Sequence, residues 1–202
     1  TMNFHEIIQN PKNGELRIKA IPEVLNYFSK EIKLKEEILY NCKMERKQNG
    51  ISIESDTLGA LLYPSEGDTF ALDMVIKPEN FHEFGVALHV DQDLEKGYFL
   101  RMNPKNQLVA WDMWPRGEQG KYQWQIKGDV PYQIETSRKL PKAEEYRVHI
   151  LREKDICVVY INDEIVLSTR MYNHKGGYAG IYVVQGKVKL IHYKEKRSEQ
   201  YE

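Results

Sequence analysis

Apolar and polar positions alternate with a period of two along most of the chain. Leu16, Ile18 and Ala20 are separated by Arg17 and Lys19. Ile38, Tyr40, Cys42 and Met44 alternate with mostly polar neighbours. Phe70, Leu72, Met74 and Ile76 do so across Asp73, and Phe84, Val86, Leu88 and Val90 continue the pattern. Further on, Tyr146, Val148 and Ile150 alternate with Arg147 and His149, and Val188 and Leu190 lie between lysines. Such a period puts one face of a strand on a core and the other toward water, as in antiparallel sheets.

Turn residues fall between these runs. Asn10-Pro11-Lys12-Asn13-Gly14 precedes the Leu16 strand, and Asn103-Pro104-Lys105-Asn106 separates Tyr98–Met102 from Leu108–Asp112. Proline presets φ for a turn and asparagine tolerates the left-handed region. Arg152–Asp155 and Asn162–Glu164 bracket the apolar run Ile156–Ile161, which predicts a three-strand meander from Tyr146 to Thr169. Gly176-Gly177 and Gln185-Gly186 punctuate the last strands. Helix is confined to a turn or two at Pro22–Phe28, with Pro22 near its start. Residues 116–140 read as irregular. The pattern predicts an all-β fold: an antiparallel two-sheet β-sandwich, jelly-roll or concanavalin-like, of about 10–12 short strands. No composition break divides the chain, so residues 1–202 read as a single domain with a flexible lead-in (1–14) and a flexible polar tail (194–202).

Composition changes this picture little. The 202 residues include 29 Lys+Arg against 30 Asp+Glu, a formal net charge of -1. That balance provides no footprint for nucleic acid or an anionic membrane, and no apolar run approaches the roughly 20 residues needed to span a bilayer. The two cysteines, Cys42 and Cys157, sit inside strand-like runs as small buried apolar residues. One disulfide is arithmetically possible, but free thiols are expected, which slightly favours a cytoplasmic location over secretion.

Three features could carry chemistry. Asp91, Asp93 and Glu95 place carboxylates at alternate positions of one loop, oxygen ligands of the kind calcium takes. The sixth position is Lys96 and the closing Glu of an EF-hand is absent, so a solvated acidic turn is the competing reading. All three tryptophans fall in one stretch, where Trp111, Trp114, Tyr122, Trp124 and Tyr132 accompany Asp112 and Arg116. Aromatic faces stack on sugar rings, while carboxylates and Arg take hydroxyls; the same residues serve equally as core edge or protein interface. The six histidines show no zinc spacing. No Gly-x-Ser-x-Gly elbow places a serine nucleophile, and no Glu-x-Asp-x-x-Glu strand supplies a glucanase carboxylate pair. No cofactor is expected beyond that calcium.

The segment from Tyr146 to Tyr172 reads strand, turn, apolar strand ending in Asn162-Asp163, then a strand ending at Thr169-Arg170. It resembles the closing strands of the C-terminal β-sandwich of glycoside hydrolase family 32, the invertases, inulinases, levanases and sucrose-6-phosphate hydrolases. Gly186 and Val188–Tyr193 look like that family's final glycine-containing turn and strand. Asn13–Val24, with its Pro22 hinge, is similar to the entry into the sandwich. The chain departs from the family at Val158, where members often carry Glu. In the family, chemistry belongs to a separate five-bladed propeller bearing Asn-Asp-Pro, Arg-Asp-Pro and Glu-Cys motifs. None of these occurs here, and 202 residues are too few for propeller and sandwich together. The resemblance therefore implies a non-catalytic ancillary sandwich, with a catalytic propeller of the same protein or a homo-oligomer as partner. The alternative is a free-standing carbohydrate-binding domain of lectin or laminin-G type; a third reading is an enzyme in its own right.

Overall fold

The computed structural model describes residues 4–113 and 137–198. Within them lie β1 (Glu6–Gln9), β2 (Leu16–Lys19), helix α1 (Pro22–Tyr27), β3 (Lys30–Glu31), β4 (Ile38–Tyr40), β5 (Lys43–Lys47), β6 (Gly50–Pro64), β7 (Thr69–Asn80) and β8 (Glu83–Val90). These are followed by β9 (Tyr98–Asn103), β10 (Leu108–Asp112), β11 (Tyr146–Glu153), β12 (Ile156–Ile161), β13 (Ile165–Arg170) and β14 (Tyr178–Arg197). The expected all-β sandwich is what forms, and every pairing in it is antiparallel.

Two long strands organise it. β6 and β14 run side by side from Tyr178 opposite Pro64 to Leu190 opposite Ile51. Up to Val184 the other flank of β14 is held by β8; past Gly186 it is held by β7. One sheet thus runs β10–β9–β8–β14–β6–β4. The other runs β5–β6–β14–β7–β11–β12–β13, and the sheets share their two longest strands. The change of partner occurs at the Gln185-Gly186 bulge, which lies inside one continuous strand rather than at the turn the sequence predicts. A Cβ on Gly186 would stand 2.0 Å from the Asn80 carbonyl oxygen, so only glycine lets the strands approach here.

Between the inner faces lies the main core, with Ile53, Leu61, Phe70, Met74, Phe84, Leu100, Trp111, Tyr146, Val159 and Ile181 among its members. The outer faces are not bare. Leu58, Ala60, Leu62, Phe99 and Tyr182 form a second cluster on the first sheet, covered by Ile38 and Tyr40. On the second sheet Ala71, Leu151, Val158 and Tyr160 are covered by Ala20 and Phe28 from the N-terminal segment. Val158, the position of departure from the family 32 pattern, is thus a buried apolar contact.

Several expectations are revised. The described residues contain fourteen strands, and three are long: β6 has 15 residues, β7 has 12 and β14 has 20. Residues 50–64 escape the alternation test because β6 is covered on both faces, so Leu58–Tyr63 is a continuous apolar run. Asn10–Gly14 is the turn of the β1–β2 hairpin, closed by the Gly14 N–H donating to the Asn10 carbonyl at 2.8 Å, so the lead-in contributes a strand. The tail is strand as far as Arg197, and Lys196 pairs with Glu31. The meander β11–β12–β13 and the short helix, with proline in its first turn, form where expected. Cys42 and Cys157 are unbridged, and burial pushes the Cys157 thiol up to about 12.

Candidate functional site

The described residues bring one cluster of buried charge to a sheet surface. Glu83 opens β8, Arg101 sits in mid-β9 and Asp112 closes β10. Alternation directs all three to the outer face of the first sheet, beside Tyr182 of β14. Arg101 stands opposite Gly85 on one side and Ala110 on the other. These small neighbours leave room for a flat guanidinium and for the Tyr182 ring, whose Cε1 would lie 3.0 Å from a Cβ on Gly85.

Glu83 Oε2 accepts from Arg101 Nε at 3.0 Å and from Nη2 at 2.6 Å. Asp112 Oδ2 accepts from Nη1 at 3.4 Å, and the Tyr182 hydroxyl donates to Glu83 Oε1 at 3.2 Å. The side chains are 3% exposed for Glu83, 0% for Asp112 and 16% for Arg101, so Arg101 is the member that reaches solvent. Burial acts to lower the pKa of Arg101. The hydrogen bond and charge of Glu83 outweigh it, and the net displacement is upward. Burial, with the charge of Glu83 behind it, drives the Tyr182 phenol well above its usual range. Of the five N–H groups on a guanidinium, these carboxylates take three. The set holds one positive and two negative charges in a fixed array, a geometry that offers fork-like polar contacts to a ligand lying on the sheet.

Trp111 and Asp112, expected together at a sugar platform, lie on opposite faces of β10. Trp111 points to the opposite face of β10 and is wholly buried in the main core, with no ring face open to a ligand. Asp112 points outward and joins Arg101. The remaining members of that expected set (Trp114, Arg116, Tyr122, Trp124 and Tyr132) lie outside the described residues. The chain runs directly from Asp112 and Met113 into them. Asp91, the first of the expected calcium ligands, spends Oδ1 on its own turn, accepting from the Glu95 N–H at 2.8 Å and the Lys96 N–H at 3.3 Å. Among the described residues no three His, Cys, Asp or Glu side chains form a group that could hold a metal ion, so Asp91, Asp93 and Glu95 are not assembled as one. Glu83 and Arg101 were not singled out by sequence reasoning. Their signal was a charged residue on a strand of otherwise apolar composition, which only the register of β8, β9 and β10 turns into a cluster.

Other buried polar groups face inward. Arg152, wholly buried, donates from Nε to the Lys154 carbonyl at 2.7 Å and from Nη2 to the Met171 carbonyl at 3.4 Å. His89 shares Nδ1 with the Gly176 carbonyl at 3.0 Å. Burial, then the charge of Arg152, lowers its pKa to about 4. Burial raises the pKa of Glu195, which is closed off with its carboxylate accepting from Arg197 Nη2 at 3.1 Å.

No family model matches the chain, and no curated protein sequence is similar to it. Solved structures share its fold. The carbohydrate binding module CBM66 from Bacillus subtilis superposes with a TM-score of 0.67 at 16% identity, over 81% of this chain and 97% of that one. A sucrose-6-phosphate hydrolase from Lactobacillus gasseri gives a TM-score of 0.53 at 12% identity, over 96% of this chain and 33% of the enzyme. A fructosyltransferase from A. japonicus gives 0.56 at 12%, over 95% of this chain and 31% of the enzyme. The chain therefore spans about a third of the length of those enzymes and almost all of the binding module.

Proposed function

We propose that the chain is a non-catalytic carbohydrate-binding β-sandwich whose ligand docks on the Arg101 edge of the first sheet. The observation that carries this is the Glu83–Arg101–Asp112 array. It is fixed by buried hydrogen bonds, Arg101 is its most exposed member, and Asp112 lies two residues before Trp114 in the sequence, at the start of the stretch that also holds Tyr122, Trp124 and Tyr132. Sugar recognition uses this chemistry, planar charged groups for hydroxyl pairs and aromatic faces for the ring. Among the described residues the array sets two carboxylates beside one guanidinium, which favours a neutral glycan over an acidic one. The fold shared with a carbohydrate binding module over nearly its whole length supports the reading.

Calorimetric titration with fructans, other neutral glycans and polygalacturonate tests it. Neutral glycan binding is expected, with polygalacturonate silent. Arg101→Lys, which keeps the charge but loses the fork, is expected to abolish binding with little change in melting temperature. Trp114→Ala and Trp124→Ala are expected to weaken it. Silence across the neutral panel, or binding indifferent to Arg101→Lys, would overturn the proposal.

A second reading is compatible with the first and rests on the 95–96% of this chain that corresponds to about a third of two sucrose- and fructosyl-processing enzymes. It is that of an ancillary sandwich beside a family 32-like catalytic propeller or within a homo-oligomer. On this reading the 202-residue chain does not hydrolyse sucrose or levan, and measurable turnover by the purified chain would refute it.

A further inference from the structure

Tyr182 lies in the same cross-strand row as Arg101. It stands opposite Ala60 of β6 and Gly85 of β8, and Gly85 in turn stands opposite Arg101. Its ring is wholly buried and meets Phe99 edge to face at 5.7 Å. On the β8 side the ring fills the space that a Cβ on Gly85 would take. β14 itself is hydrogen-bonded on both flanks here, by β6 and by β8. The Tyr182 hydroxyl is therefore a donor at a fixed point, and burial keeps it protonated.

That donor changes how Glu83 holds the guanidinium. Arginine and a carboxylate frequently pair fork to fork, with one N–H for each oxygen. Here Arg101 Nε and Nη2 both converge on Glu83 Oε2, at 3.0 and 2.6 Å, because Oε1 is occupied by the Tyr182 hydroxyl at 3.2 Å. The guanidinium is held on this side by a single oxygen, and its Nη1 is turned toward Asp112 Oδ2 at 3.4 Å. With Oε1 released, Glu83 would take the guanidinium with both oxygens and draw Nη1 away from Asp112. The direction in which Arg101 presents its fork is thus set two strands away, on β14.

We propose that Tyr182 is a positioning residue for glycan binding, orienting Arg101 through Glu83 without itself reaching the ligand. The proposal rests on the glycan reading of the Arg101 array given above.

The test compares the whole chain, carrying ¹⁵N-labelled arginine, with its Tyr182→Phe variant, and uses inulin as the neutral glycan. The Arg101 Nε–H signal, assigned by its absence in Arg101→Lys, is expected to shift in Tyr182→Phe and to exchange faster with solvent. Calorimetry is expected to show inulin bound about fivefold more weakly or worse. Leu62→Val thins the packing of the same outer cluster and has no part in these hydrogen bonds, so it is expected to change neither readout. An unmoved Arg101 signal in Tyr182→Phe, an unchanged inulin affinity in that variant, or equal losses in Leu62→Val would overturn the proposal. If the Arg101 signal moves as expected but the native chain binds neither inulin nor any other neutral glycan, the glycan reading falls and the orienting role of Tyr182 stands.

Discussion

Replacing Arg101 with Met removes the cation that, among the described residues, bridges two buried carboxylates, while keeping the length of the side chain. At separations of a few ångström and an effective dielectric constant near 20, each carboxylate–guanidinium attraction amounts to about 4 kcal/mol. In the native protein most of that is offset by the desolvation of Glu83, 3% exposed, and Asp112, fully buried. Without Arg101 the desolvation remains and the attraction is gone, a loss of about 3–5 kcal/mol for a buried pair broken on one side. For a domain of this size that lowers the melting temperature by about 10 °C. The variant Arg101→Met/Glu83→Gln/Asp112→Asn, which discharges the whole array, should recover most of it. Differential scanning calorimetry at neutral pH reads both numbers. The reasoning fails if Arg101→Met melts within a degree or two of the native protein, or if neutralising the carboxylates brings no recovery.

Three further outcomes follow from the core. His89 is held neutral in the fold, with a pKa lowered from 6.5 to about 4 by burial and by Arg152, while Asp68 acts in the opposite sense. The unfolded chain binds the proton first, so the stability from a neutral His89 is complete above pH 6.5 and is lost as pH falls from there to about 4. The loss is on the order of 3 kcal/mol, and His89→Phe should flatten urea-denaturation stability across that window. Gly186→Ala should destabilise by about 2 kcal/mol or more, measured by the same denaturation, because its methyl group would meet the Asn80 carbonyl. Trp111→Ala should lower stability by about 3–5 kcal/mol through a core cavity, with loss of near-ultraviolet circular dichroism, rather than act as a sugar-site lesion.

How much of this was legible in the chain depends on which face each residue showed. Strands with one wet face, such as β11 with Arg147 and His149 between its apolar residues, announce themselves by period two. β6 does not, because Leu58 and Leu62 pack outward while Leu61 and Tyr63 pack inward, and a run apolar on both faces has no period to detect. Gln185-Gly186 looks like any glycine turn. Its role as a bulge depends on Asn80, more than a hundred residues away in sequence. The aromatic stretch was visible from composition. Yet the sequence does not say that Trp111 and Asp112, neighbours in the chain, lie on opposite faces of one strand until its register is known. Glu83 and Arg101 were illegible for the same reason: each is an ordinary charged residue until β8 and β9 pair.

The sharing of β14 between both sheets has a kinetic consequence. This strand, residues 178–197, pairs with β3, β6, β7 and β8, so it supplies the flank on which both halves of the sandwich depend. As the chain leaves the ribosome, β6, β7 and β8 are synthesised long before the partner that separates and aligns them. Their hydrogen-bonding edges wait through more than eighty residues of further synthesis. Folding of such a topology is governed by late, non-local closure. Until that closure the waiting edges are the segments most exposed to pairing with another chain.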